Sequence, residues 1–204
     1  SGTRALQIGL ESVGIGEVDT VATTPATFIA TANVVQRIGA SVRFIDIDLD
    51  TYGLDINKLE RVVETDNIDA VIPVHLYGYP VDIDRIRDVV GEETPIVADA
   101  CQAHGAARNG HKTGTMADVG ALSFYPSKNM TVAGDGGVML TNNDDAAQVA
   151  RSLRDVGRSK SGYEHERIGY TARLNTVNAA IGRQQLNQLD EWNERRQQVA
   201  AEYT

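Results

Sequence analysis

The sequence predicts an α/β fold with a mostly parallel sheet, on three observations. Short apolar runs rich in Val and Ile alternate with helical patterns. The runs stop after a few residues. Acids also open two of the helices, at Asp55 and Asp82.

Ala5-Leu6-Ile8-Gly9-Leu10 follows Ser1-Gly2-Thr3 as an amphipathic helical run. Val21 to Thr23 reads as a strand, and Thr27 to Ile38 as a helix closed by Gly39. Val42 to Ile45 is the next strand, and Asp55 is a capping acid opening a helix through Glu60. Ala70 to Val74 is a strand, Asp82 to Val90 a helix, and Ile96 to Ala98 and Ala121 to Phe124 are further strands. Val138 to Leu140 follows the turn Gly134-Asp135-Gly136-Gly137. That turn leads into a strand, which suits a backbone bend and not a phosphate loop. Asn143 to Arg154 is helical, Gly157 to Tyr163 is an aperiodic loop, and Thr176 to Tyr203 reads as one long helix. Ala180, Leu186, Leu189, Trp192 and Val199 fall partly on one face of it.

The chain has 204 residues with 42% hydrophobic content, enough for a substantial core. Its net charge of −9 disfavours nucleic acid, and no apolar run is long enough to cross a bilayer. One cysteine, Cys101, excludes an internal disulfide framework. With no secretory pattern in the first residues, the expected address is cytoplasmic. The acid excess suits a salt-adapted cytoplasm and an ordinary acidic protein alike.

In open α/β sheets ligands sit beyond the carboxyl ends of the strands. Asp99 ends one apolar run, and Lys128 follows another in Ser123-Phe124-Tyr125-Pro126-Ser127-Lys128-Asn129. A lysine amine condenses with aldehydes, and a carboxylate keeps a pyridine nitrogen protonated. Pyridoxal phosphate needs both groups. Ser1-Gly2-Thr3 opens a helix whose N–H groups, hydroxyl and dipole suit a phosphate. Taken singly, each has a bland reading: a solvated lysine, a turn or capping aspartate, a helix cap, and a core phenylalanine at Phe28. Four scattered histidines lack metal-type spacing, so no metal is expected, and His75 and His104 read as packed wall residues. The Gly-x-Ser-x-Gly and Gly-x-Gly-x-x-Gly patterns are absent.

Five ordered segments carry a resemblance. They are Ser1-Gly2-Thr3, Pro25 to Asn33, Pro73-Val74-His75-Leu76-Tyr77-Gly78, Asp99-Ala100-Cys101-Gln102-Ala103-His104-Gly105 and Ser123 to Asn129. Together they resemble the DegT/DnrJ/EryC1/StrS family of pyridoxal-phosphate-dependent sugar aminotransferases, of the aspartate-aminotransferase fold type I. The resemblance implies a three-layer α/β/α large domain. Residues 1–175 would be most of that domain, without its N-terminal segment, and 176–204 would lead toward a small C-terminal domain.

The resemblance also implies roles. Lys128 is the catalytic residue, forming the internal aldimine and moving protons. Asp99 pairs with the pyridinium nitrogen, Phe28 lies on a ring face and Gln102 lies near the ring oxygen. Gly2, Thr3 and Ser123 hold the phosphate. The implied donor is glutamate, the acceptor a nucleotide-linked keto-sugar, and the assembly a homodimer with shared sites, part of each supplied by the stretch 157–170. Thr171 stands where the family usually has an asparagine that reaches the neighbouring subunit's cofactor. A family branch that dehydrates sugars has histidine at the lysine position, so Lys128 favours amine transfer over a dehydratase or isomerase. A non-catalytic regulatory protein binding the cofactor or a sugar is the remaining alternative.

Overall fold

Strand and helix alternate from the first residues in the computed structural model, which describes residues 1–160 and 162–203. In order, the elements are α1 (Gly2–Ser12), β1 (Thr20–Thr23), α2 (Ala30–Arg37), β2 (Ser41–Phe44), α3 (Ile56–Val63), β3 (Ala70–Ile72), α4 (Ile83–Val90) and β4 (Val97–Asp99). A small hairpin of β5 (Ala107–Arg108) and β6 (His111–Lys112) precedes β7 (Val119–Ser123), β8 (Gly137–Leu140), α5 (Asp144–Leu153), α6 (Thr176–Leu186) and α7 (Leu189–Ala201).

β1 lies between β2 and β3, all parallel, while β7 pairs parallel with β4 and antiparallel with β8. Parallel bridges at Val71–Ile96 and Val74–Asp99 join the two three-stranded groups side by side. Strand residues alternate between two cores, because successive side chains point to opposite faces. Val21, Ala70, Ile72 and Val97 pack with Leu6 and Leu10 of α1 and Val34 and Val35 of α2. Ala22, Val71 and Ile96 pack with Leu59 of α3 and Ile83 and Ile86 of α4. Helices thus cover both faces, giving the expected three-layer α/β/α arrangement. The central strands β1, β3 and β4 are mostly apolar and buried because both of their faces are covered, while the edge strand β2, Ser-Val-Arg-Phe, is largely exposed.

Side-chain caps fix several helix starts. Asp55, Asp82, Asn143 and Asn175 each accept a first-turn backbone N–H. Two expectations need correction. The helix expected from Thr27 starts at Ala30, because the chain turns at Pro25, where Thr27 N–H bonds Pro25 O. Phe28 therefore precedes the helix and does not lie on it. The single helix expected over 176–203 breaks at Asn187 and Gln188 into α6 and α7. Of its expected apolar face only Leu189 is buried, while Leu186 and Val199 are more than half exposed. The described residues of the expected loop 157–163 form no helix or strand, and the segment folds back through an Arg158–His165 bridge and a Glu166 N–H bond to Gly157 O. Ser161 within it lies outside the described residues, as does Thr204.

Gly137 marks the closest approach of β8 to α1. A Cβ there would sit 2.5 Å from Ser1 C and 2.6 Å from Gly2 N, both backbone atoms. Gly137→Ala is expected to destabilise by about 1–3 kcal/mol in urea unfolding, since neither backbone can retreat.

His75, fully buried after β3, accepts the Val81 N–H on Nδ1 at 3.0 Å. Burial pushes its pKa down from 6.5 to about 4. The unfolded chain therefore takes up this proton first. The His75 contribution to stability is complete above about pH 6.5, falls as pH drops toward 4 and is level below that. The expected loss is about 3 kcal/mol, visible in melts against pH and reduced in His75→Asn.

Candidate active site

Four strand or helix ends converge on one cavity of about 440 Å³. The N-terminus of α1 supplies its phosphate-like end. Ser1 caps the helix by accepting the Arg4 N–H, and the first bond within the helix runs from Ala5 N–H to Ser1 O. The Gly2 and Thr3 N–H groups have no partner inside the helix and face outward with the positive end of its dipole. Gly2 is required by crowding, because a Cβ would lie 2.6 Å from Ser123 Cβ and 2.8 Å from Cys101 Sγ. Ser123, at the carboxyl end of β7, brings its hydroxyl to the same place and accepts the Tyr125 N–H at 3.3 Å.

Asp99 ends β4 at 6% exposure. Its main chain is locked to β3 through the His75 N–H to Asp99 O bond and the Asp99 N–H to Pro73 O bond. Thr31 Oγ1 donates to one carboxylate oxygen at 2.8 Å, and Cys101 N–H donates to the other at 3.1 Å. Each oxygen retains a lone pair for a further donor. Gln102, three residues on, accepts the Tyr77 N–H on Oε1 at 3.1 Å, leaving its amide N–H groups available. Tyr77 sits at φ 53°, an uncommon conformation for a non-glycine residue that this bond helps hold.

Lys128 is half-buried in the turn after β7, its N–H bonded to Tyr125 O. Among the described residues Nζ has no hydrogen bond or ion pair. Phe28 is 67% exposed at the mouth. The structure thus brings Gly2, Thr3, Phe28, Asp99, Gln102, Ser123 and Lys128 to line the same cavity.

Three further residues belong to the site and were not singled out from the sequence. Thr31 orients Asp99, and its signal was a hydroxyl in the first turn of α2. Asp135, from the glycine-rich turn, and Cys101 line the wall. Burial, then the Asp99 charge, push the Cys101 thiol pKa up, so it stays protonated and is no nucleophile. Thr171 is exposed, bridges Asp155 and does not line this cavity. His104 is buried behind it, 6.0 Å from the Phe124 ring. Burial, with the nearby Lys128 charge, lowers its pKa and keeps it neutral. No cluster of His, Cys, Asp or Glu suited to a metal occurs among the described residues.

Pyridoxal phosphate fits this arrangement. A cradle that a Cβ would fill lies at one end, a buried carboxylate with spare acceptor capacity lies deeper in, and an unpaired amine stands at the side.

Comparison with known proteins supplies the family. The model of the DegT/DnrJ/EryC1/StrS aminotransferase family matches residues 1–204. The chain is 40% identical, over its whole length and 55% of the relative's, to a pleiotropic regulatory protein of Geobacillus stearothermophilus. It is 39% identical to the UDP-2-acetamido-2-deoxy-3-oxo-D-glucuronate aminotransferase of Pseudomonas aeruginosa, covering all of this chain and 56% of the relative. The crystal structure of S. venezuelae DesV in complex with a ketimine intermediate superposes with a TM-score of 0.94 at 41% identity, covering 100% of this chain and 54% of that one. The chain spans about half the length of the relatives it matches. With a match along its whole length, on the fold and cavity described above, the chain belongs to the DegT/DnrJ/EryC1/StrS aminotransferase family.

Proposed function

We propose that this chain forms the cofactor-binding part of a pyridoxal-phosphate-dependent aminotransferase that moves an amino group, from glutamate, to a nucleotide-linked keto-sugar. One observation carries the reading: an unpaired lysine amine, a buried carboxylate and a helix N-terminus with a serine hydroxyl share one cavity. The keto-sugar aminotransferase name of the Pseudomonas relative supports the substrate class.

Bound pyridoxal phosphate supplies an electron sink for the carbanion at the amine-bearing carbon. Lys128 anchors the aldehyde carbon through Nζ. The same amine, when free, would be the group that takes the proton from the donor carbon and gives one to the sugar carbon. Asp99, steadied by Thr31 and Cys101 N–H, would accept the ring N–H and hold that proton in place. The α1 N–H groups and Ser123 hold the phosphate, and Phe28 covers a ring face and excludes water.

The test is spectroscopic. Full-length protein loaded with pyridoxal phosphate is expected to lose its lysine-bound absorbance band on adding glutamate and to regain it with a UDP- or dTDP-linked keto-sugar. An unchanged band with glutamate would sink amine transfer. The name of the Geobacillus relative favours a second reading, a regulator that binds the cofactor without turnover. Regulation that survives Lys128→Ala supports it.

A homodimer with shared sites is part of the proposal. Tyr163 and Ile168 stand almost fully exposed on the 157–170 segment, as interface residues do in a separated protomer. The cytoplasmic address is likewise proposed, on composition. No helix among the described residues is long and apolar enough to cross a membrane.

A further inference from the structure

Helices α6 and α7 fasten to the site through amides. Asn178 Nδ2 donates to Val132 O at 2.8 Å, and Gln185 Oε1 accepts the Thr131 N–H at 2.8 Å. Asn193 bonds the site loops twice: its Oδ1 accepts from Asn129 Nδ2 at 3.0 Å, and its Nδ2 donates to His104 O at 2.8 Å, while Arg196 of the same helix also donates to Oδ1 at 3.4 Å. Between them lie Gly182, where a Cβ would be 3.0 Å from Val132 Cγ1, and Leu189, buried at 6%. Positions 178, 182, 185, 189 and 193 step by four, three, four and four, so they form one helical face that continues across the break at Asn187 and Gln188.

The bonds that leave this face for the loops land beside the cavity. Asn129 follows Lys128 directly, Thr131 and Val132 continue the same segment, and His104 lies two residues beyond Gln102. Among the described residues the Thr131 N–H and Val132 carbonyl find partners only on α6. Val132 is fully buried, so water does not stand in for Asn178. Asn193 alone reaches both loops, the one carrying Asp99 and Gln102 and the one carrying Lys128. A loop delivers a side chain reproducibly only when its backbone groups are tied down.

We propose that Asn178, Gln185 and Asn193 are positioning residues that clamp the Lys128 loop against the Asp99–Gln102 loop, setting where the Lys128 amine meets the cofactor aldehyde. The assignment rests on the Lys128 reading above. None of the three lines the cavity, so each acts through the backbone it holds.

The test compares two ligands in wild type, Gln185→Ala, Asn193→Ala and Asn193→Asp. Pyridoxal phosphate condenses with Lys128 and is read by absorbance and borohydride trapping. Pyridoxamine phosphate uses the same phosphate and ring contacts without condensing. In both alanine variants pyridoxamine phosphate affinity is expected to stay within about threefold, while condensation weakens or slows by about tenfold to a hundredfold, the effect of a small misplacement of the reacting group. Asn193→Asp keeps the acceptor for Asn129 but loses the donor to His104 O, and its deficit falls between wild type and Asn193→Ala. Hydrogen exchange on the cofactor-free protein gives an independent readout: the Thr131 N–H is protected in wild type and released in Gln185→Ala. Equal weakening of both ligands, unchanged condensation, or an unprotected Thr131 N–H in wild type overturns the clamp. If an alanine variant does not fold, Asn193→Asp and the wild-type exchange measurement decide it. Failure of wild type to condense with pyridoxal phosphate refutes the functional reading instead, and the Thr131 exchange still decides the clamp.

Discussion

Lys128→Ala is expected to abolish the lysine-bound pyridoxal absorbance and to cut turnover by about three to four orders of magnitude. Removing a positioned acid–base group alone accounts for up to about 10⁴-fold, and the covalent anchor is lost with it. The fold should barely notice. Lys128 is half-buried, and its Nζ bonds nothing among the described residues, so unfolding free energy is expected to stay within about 0.5 kcal/mol of wild type. That contrast separates a chemical role from a structural one. Absorbance titration with pyridoxal phosphate, beside urea unfolding of the same samples, measures both. A persistent band in the variant would place the Schiff-base lysine elsewhere. Lysine at Lys58 is tied to Asp46 and Asp55, and Lys112 to Gly105 O, so neither is a ready substitute.

The second large effect is expected at Asp99. In Asp99→Asn the side chain keeps its size, but the charge that holds the ring proton is gone. A hydrogen bond to a charged group contributes about 1.5–3 kcal/mol, so turnover should fall by roughly tenfold to a hundredfold or more. Stability should also drop, by about 1 kcal/mol, because the carboxylate now accepts from both Thr31 and Cys101 N–H and an amide presents only one acceptor oxygen. Steady-state kinetics with glutamate reads the first effect and thermal melts the second. Restored turnover with a cofactor analogue that carries a fixed positive charge on the ring nitrogen would tie the loss to that proton, and no rescue would point to misplaced packing.

Much of this fold was legible because each local signal agreed with the next. Val21, Ala22 and Ala70 to Ile72 are apolar and buried, which fits strands covered on both sides, and Asp55 and Asp82 cap helices where capping acids were expected. The hairpin at Ala107 to Lys112 carries a local signal too. Asn109 and Gly110 both take positive φ there, at 51° and 82°, as an Asn-Gly turn between paired strands requires. The start of α2 was not legible, because Thr27 and Phe28 fit a helical pattern as well as they fit the turn they form.

The C-terminal helices show the limit of pattern reading. An apolar stripe was expected to dock them, and the docking face proved to be amide, glycine, amide, leucine, amide. Hydrophobic periodicity reports burial against apolar surface. These helices meet loop backbone groups that have no partner within the loop, and hydrogen-bonding capacity is what that surface selects.

The sequence by itself determined the layered α/β arrangement and which residue types could serve a pyridine ring, an aldehyde and a phosphate, since strand period, capping chemistry and side-chain reactivity are local properties. It also marked Lys128, through the company of Asp99 and Ser1-Gly2-Thr3. Only the tertiary structure decided that the ends of α1, β4 and β7 meet, that Thr31 steadies Asp99, that Phe28 stands at the mouth, and that α6 and α7 tie the Lys128 loop from behind. Those relations join residues tens of positions apart, and nothing short of packing the sheet against its helices brings them within hydrogen-bonding distance.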